Sequence, residues 1–162
     1  MIENVNIKYD NNDEVQSINK FLLRAQRYAL DHVYDPRLTF RHCAVLVSGG
    51  SIISIAYNFL HITDIRFDSM KAKICGRYQN ANHAECAAIL KVADKKDLCG
   101  TKLYIVRISR NGKLQNSRPC GLCRNTIIKY GISRVFYSIS DGEFGVWNSN
   151  NFNETNYRVC NE

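Results

Sequence analysis

A three-layer α/β architecture, with a central mixed five-stranded sheet and helices on both faces, is what this sequence predicts. Three observations lead there. Runs with strand character alternate with helical stripes along the chain, two of those runs meet at a hairpin around Ser48-Gly49-Gly50, and Asp141-Gly142 makes a short return between the last two. The 162 residues fit a single domain, 1–162, large enough to bury a core without disulfides or a structural metal.

Val15, Ile18, Leu22, Ala25 and Ala29 recur at helical spacing between Asp13 and His32, with Phe21 widening the stripe. That pattern predicts a first amphipathic helix, ended by Asp35-Pro36. His42 to Val47 and Ser51 to Tyr57 are apolar and β-branched, and give the first two strands. A helix from Asn82 to Ala93, a strand from Lys102 to Ile108, a helix from Pro119 to Tyr130 closed by Gly131, and a strand from Arg134 to Ser138 follow. Phe144-Gly145-Val146-Trp147 then returns as an antiparallel fifth strand, with Trp147 in the core or at a subunit contact. Asn111-Gly112 is read as a small hairpin turn or a plain loop, and the asparagine-rich segment 148–162 as loop or frayed end.

Composition narrows the class. A hydrophobic fraction of 45%, a charged fraction of 23% and two prolines are those of an ordinary globular protein without long linkers. No window is apolar enough for a membrane span, and Met1-Ile2-Glu3-Asn4 lacks the order of a signal peptide, so no membrane partner and a cytoplasmic location are expected. Seven cysteines without framework spacing favour reduced thiols and metal ligands over disulfides. The net charge of +7 concentrates in two stretches, 66–77 and 107–118, which points to an anionic partner.

The chemistry lies in His83-Ala84-Glu85 and Pro119-Cys120-Gly121-Leu122-Cys123. Each sits at a predicted helix start. Cys120 and Cys123 are three apart and share one helix face, where the helix N-terminus favours their thiolate forms. With His83 they make three ligands, the number that leaves a catalytic zinc one open position. Residues two apart on a regular helix point about 200° apart, so Glu85 is read as standing beside the zinc-bound water and not as a ligand. A carboxylate there can move protons as zinc lowers the pKa of that water to roughly 7.

Blander readings exist for each part. Asn82 and Glu85 fit a capping box, His83 alone fits a structural histidine, and Cys120-Gly121-Leu122-Cys123 fits a thiol redox motif. All three would have to coincide. The other cysteines, Cys43, Cys75, Cys86, Cys99 and Cys160, have no partner at ligand spacing and read as core or surface thiols. His32, His42 and His61 read as structural.

The two motifs match the signature H-x-E with a later P-C-x-x-C of zinc-dependent nucleobase deaminases. The sequence resembles the cytidine and deoxycytidylate deaminase superfamily over residues 40–138, where Ala88-Ile89 after the first motif and Arg124 after the second also look familial. The resemblance implies a cytidine deaminase-like fold, Zn2+ as cofactor on His83, Cys120 and Cys123, and Glu85 as the proton shuttle. It implies that Asn58 bonds the substrate sugar, that the Ala84 backbone touches the base, and that the protein assembles as a homo-oligomer. Arg124 is read as a solvated helix residue in preference to a partner of the thiolates.

Three residues depart from individual subfamilies. Leu60 replaces the glutamate that grips ribose in small nucleoside deaminases, Ala87 an asparagine common in deoxycytidylate deaminases, and Arg118 a glutamate of tRNA adenosine deaminases. The basic stretches then favour a nucleotide, with Arg118 as a phosphate contact. The expected reaction is hydrolytic deamination at C4 of cytosine in a small (deoxy)cytidine compound, a monophosphate first. The alternatives are editing of single-stranded RNA or DNA, with Tyr57, Phe59 or Tyr78 stacking on bases, a silent zinc- or nucleic-acid-binding module, and a thiol oxidoreductase.

Overall fold

The structure is a computed structural model that describes residues 6–9, 13–60 and 83–158. In chain order the elements are β1 (Asn6–Tyr9), α1 (Asp13–Asp31), β2 (Arg41–Ser48), β3 (Ser51–Tyr57) and α2 (Ala84–Leu90). Then come β4 (Lys102–Ile108), β5 (Leu114–Gln115), α3 (Gly121–Lys129), β6 (Arg134–Ser140), β7 (Glu143–Asn148) and β8 (Glu154–Arg158). The basic segment 66–77, and with it Cys75, as well as His61, Tyr78, Asn82 and Cys160, lie outside the described residues.

One mixed sheet runs in the order β1-β8-β7-β6-β4-β2-β3, with β5 paired to the end of β4. β4 and β6 are parallel, as are β1 and β8, and the other neighbours are antiparallel. The sheet therefore has eight strands among the described residues, where the sequence pattern predicts five. The additions are short or polar. β1 and β8 extend the edge beyond β7, so 148–162 is not wholly loop. β5 forms the far arm of the Asn111-Gly112 hairpin, in which Gly112 takes a positive φ of 82°.

Alternation along the central strands assigns the layers. Val45, Val47, Tyr104, Val106 and Phe136 pack with the Val15, Ile18, Leu22, Ala25 and Ala29 stripe of α1. Their neighbours Ala44, Leu46, Leu103, Ile105 and Val135 pack with α2 and α3 on the opposite face. Strands buried on both sides read as continuous apolar runs, which is why β2, β4 and β6 are visible in the sequence. Trp147 is fully buried in the α2–α3 layer, the core alternative of its two readings.

The helix starts place the two motifs. α2 begins one residue later than the capping-box reading requires, with extended His83 as its N-cap and no side-chain cap bond. Glu85 is then the second helical residue, out of register for that box. Cys120 is likewise the extended N-cap of α3. Packing of α2 against α3 on one face of the sheet brings both caps together.

Candidate metal centre and active-site cavity

His83 Nδ1 lies 3.4 Å from Cys120 Sγ and 3.3 Å from Cys123 Sγ. The three ligand atoms all fall within 4.8 Å of one another. With Zn–S of about 2.3 Å and Zn–N of about 2.0–2.1 Å, a tetrahedral site has S···N edges of about 3.6 Å. The group therefore fits one zinc ion, and its thiolate and imidazole donors are those zinc prefers. A hydrogen bond from Cys123 draws the Cys120 thiol down to about 3 against the effect of burial, with help from His83. The bond to Cys120 in turn lifts His83 to about 9.

Glu85 is 5% exposed, and burial pushes its carboxyl above the usual carboxylate range. It lines a cavity of about 400 Å³ together with His83, Cys120, Asn58, Leu60 and Arg118. That volume lies within the roughly 300–1,000 Å³ of small-molecule sites. Asn58, just past β3, ties to the start of β2 and the residue before it: its Oδ1 accepts from His42 N at 2.8 Å and its Nδ2 donates to Phe40 O at 2.7 Å. Ala84 is fully buried as the first residue of α2.

Buried hydroxyls fix the approach to the second motif. Ser117 Oγ donates to Ile105 O at 2.8 Å, and Ser138 N donates back to Ser117 Oγ at 2.9 Å. Ser138 Oγ holds Gln115 O at 2.7 Å. The chain thus leaves β5 tied to β4 and β6 and delivers Pro119-Cys120 at the cavity wall. Arg118 there forms a two-pronged ion pair with Glu154 of β8.

Some residues stand elsewhere than the sequence suggests. Arg124 is not a solvated helix residue: it pairs with Glu154, donates to Pro119 O, and lies over the Trp147 ring at 4.6 Å. His42, read as structural, faces the cavity, and burial, Arg107 and His83 lower it to about 4. His32 is structural, stacked on Tyr57 at 3.6 Å. Cys86 is buried with its Sγ 3.8 Å from Cys123 Sγ. Arg37, Leu38, Thr39 and Phe40 also line the cavity, and Phe40 rests on the Arg107 guanidinium at 3.9 Å. Sequence reasoning missed these, because they lie in an irregular segment before β2 where neither periodicity nor motif spacing marks them.

Comparison with known proteins identifies the class. A family model described as the cytidine and deoxycytidylate deaminase zinc-binding region matches residues 15–139, and the chain belongs to that family. Zn2+ is accordingly its cofactor, and its enzyme class is that of the hydrolytic deaminases. No curated protein matches the sequence. Among solved structures, cytidine deaminase from Burkholderia pseudomallei is similar at a TM-score of 0.58 and 20% identity, over 82% of this chain and 94% of that one. The apo dCMP deaminase of cyanophage S-TIM5 is similar at 0.49 and 20% identity, over 78% and 84%. The Burkholderia likeness establishes the cytidine deaminase-like fold. No helix among the described residues is long and apolar enough to cross a membrane.

Proposed function

We propose that this protein deaminates cytosine in a small cytidine or deoxycytidine nucleotide, a monophosphate in the simplest case, consuming water and releasing ammonia and the uracil product. The observation that carries this reading is the buried Glu85 carboxyl in the same cavity wall as His83 and Cys120, which converge with Cys123. Those three residues hold Zn2+, which when bound lowers the pKa of a coordinated water to roughly 7 and so supplies a nucleophile at neutral pH. Glu85 accepts the proton released from the water and delivers it to N3 of the ring, then takes a second proton from the hydroxyl newly bonded to C4 and gives it to the departing 4-amino group, so that C4 is left as the carbonyl of the uracil product. Its two oxygens suffice for this because each transfer empties the group before the next.

Substrate orientation falls to the rest of the cavity. Beyond its bonds to Phe40 and His42, the Asn58 amide retains one N–H and one lone pair for a sugar hydroxyl. The Ala84 main chain is assigned to the base, as the family resemblance implies. Arg37 and Arg118 lie in the lining, where a 5′-phosphate gains charge-assisted bonds. Leu60 contributes an apolar wall in place of a ribose-gripping acid, which favours selection through phosphate over selection through a diol. Of the cations in 107–118, Arg107 is stacked under Phe40 and Arg118, though paired with Glu154, is the one that lines the cavity, whereas Arg110 and Lys113 are exposed outside it.

The direct test is ammonia release from cytidine, deoxycytidine, CMP, dCMP, adenosine and a cytosine-containing oligonucleotide. One of the two monophosphates is expected to give the highest kcat/KM. Glu85→Ala is expected to lower kcat by about 10²–10⁴-fold or more while zinc content stays near one per chain. Retained turnover in that variant removes Glu85 from its role; preference for the oligonucleotide, with a steep salt dependence of binding, replaces the small-molecule reading.

A further inference from the structure

The segment carrying both cysteines is gripped from outside the family-matched residues. Glu154 opens β8, beyond position 139. Its carboxylate accepts from Arg118 Nε at 2.9 Å and Nη2 at 2.6 Å, a bidentate pair. The same group accepts from Arg124 Nη2 at 3.2 Å and from the Tyr137 hydroxyl at 2.5 Å. Arg118 stands immediately before Pro119 and Arg124 immediately after Cys123, so one carboxylate holds both ends of the motif. Arg124 Nε closes the segment on itself by donating to Pro119 O at 3.1 Å. The Glu154 side chain is only 16% exposed, which keeps these ion pairs from full solvent screening.

We infer that Glu154 is a positioning residue for the metal centre, clamping Arg118 and Arg124 so that Cys120 and Cys123 keep the sulfur placement that an ion requires. The inference rests on the reading of those cysteines as zinc ligands. Geometry and charge act in the same direction. A bidentate arginine–carboxylate pair fixes orientation as well as distance, and its loss lets both flanks of the motif shift. Removing the carboxylate also takes away a negative charge held between Arg118 and Arg124, beside a site for a dication. Partners outside the ligand set typically change metal affinity by about 10–100-fold when lost.

The experiment compares zinc-loaded wild type, Glu154→Ala, Glu154→Gln and the control Thr155→Ala, a substitution in the same strand that leaves the clamp intact. Zinc transfer to a chromophoric chelator gives affinity, and the visible spectrum of cobalt-exchanged protein reports the geometry at the sulfurs. Glu154→Ala is expected to lose about 10-fold or more in zinc affinity, with displaced thiolate-to-cobalt bands. Glu154→Gln is expected to fall between it and wild type, and carries the comparison if the alanine variant does not fold. Thr155→Ala is expected to match wild type in both. Unchanged affinity and spectrum in both Glu154 variants overturn the inference, as does an equal loss in Thr155→Ala. Wild-type protein that takes up no zinc and shows no thiolate-to-cobalt bands overturns the ligand assignment itself, before any variant is compared.

Discussion

Tyr137 shows how one side chain links the sheet to the site. Its ring lies directly over Gly145, where an added Cβ would come within 2.1 Å of the ring, and its hydroxyl reaches Glu154. A glycine inside a strand often marks this kind of close approach. Gly145→Ala forces the ring aside, so a loss of about 1–3 kcal/mol is expected in denaturant unfolding, from overpacking. Because the displaced hydroxyl also leaves Glu154, the variant should release zinc to a chelator faster than wild type. The residues of the two motifs are legible in sequence, since His83, Glu85, Cys120 and Cys123 obey spacing rules tied to helix starts. Phe40, His42 and Glu154 are not, because their neighbours in space are remote in the chain and no local rule connects them.

The elements divide into those that make the sheet and those that serve the site. α1 covers the face opposite α2 and α3, so its core residues should affect stability alone. Leu22→Ala, at a side chain 3% exposed, is expected to cost about 2–5 kcal/mol while the folded fraction keeps its kcat, a split that unfolding and kinetic measurements on one preparation resolve. β8 has the converse character. Burial alone would raise the Glu154 carboxyl, but bonds from Arg118 and Tyr137 and the charge of both arginines outweigh it, and it titrates below its ordinary 4.5. A carboxyl depressed in the folded state adds stability above its unfolded pKa and loses it as pH falls through the folded value. Wild type should therefore weaken as pH drops below about 4.5, and Glu154→Gln should show a shallower acid limb in pH-dependent melting. β8 escapes sequence reading for a physical reason: Glu154-Thr155-Asn156-Tyr157-Arg158 has no continuous apolar face, and its strand form comes from pairing with β7 and β1.

At the scale of the molecule, two apolar layers on opposite sides of one sheet supply the core, and of the three candidate ligands only Cys123 belongs to either. Chelator-treated protein is expected to keep its far-UV circular dichroism. Its melting temperature should fall and recover when zinc is restored, because an ion that binds only the folded state adds roughly 2.7 kcal/mol at a hundredfold excess over its Kd. Collapse of the secondary structure on chelation would instead make the metal part of the fold. The three-layer plan is legible from the alternation of buried strands with helices, whereas the full width of the sheet is not, because β5 is only two residues long and β8 has no buried face to impose a pattern.

The parallel pairing of β1 with β8 has a consequence for how the chain reaches this state. Asn6 registers with Thr155, so that ladder joins the first described strand to the last. Loop-closure entropy makes such a contact late, after the β2–β3 and β6–β7 hairpins have formed from local pairs. Substitutions in β8 should then speed unfolding and leave the refolding rate almost untouched, with φ-values near zero. The carboxylate that holds the cysteine segment would arrive with this last strand, making the final step of folding also the one that completes the metal centre.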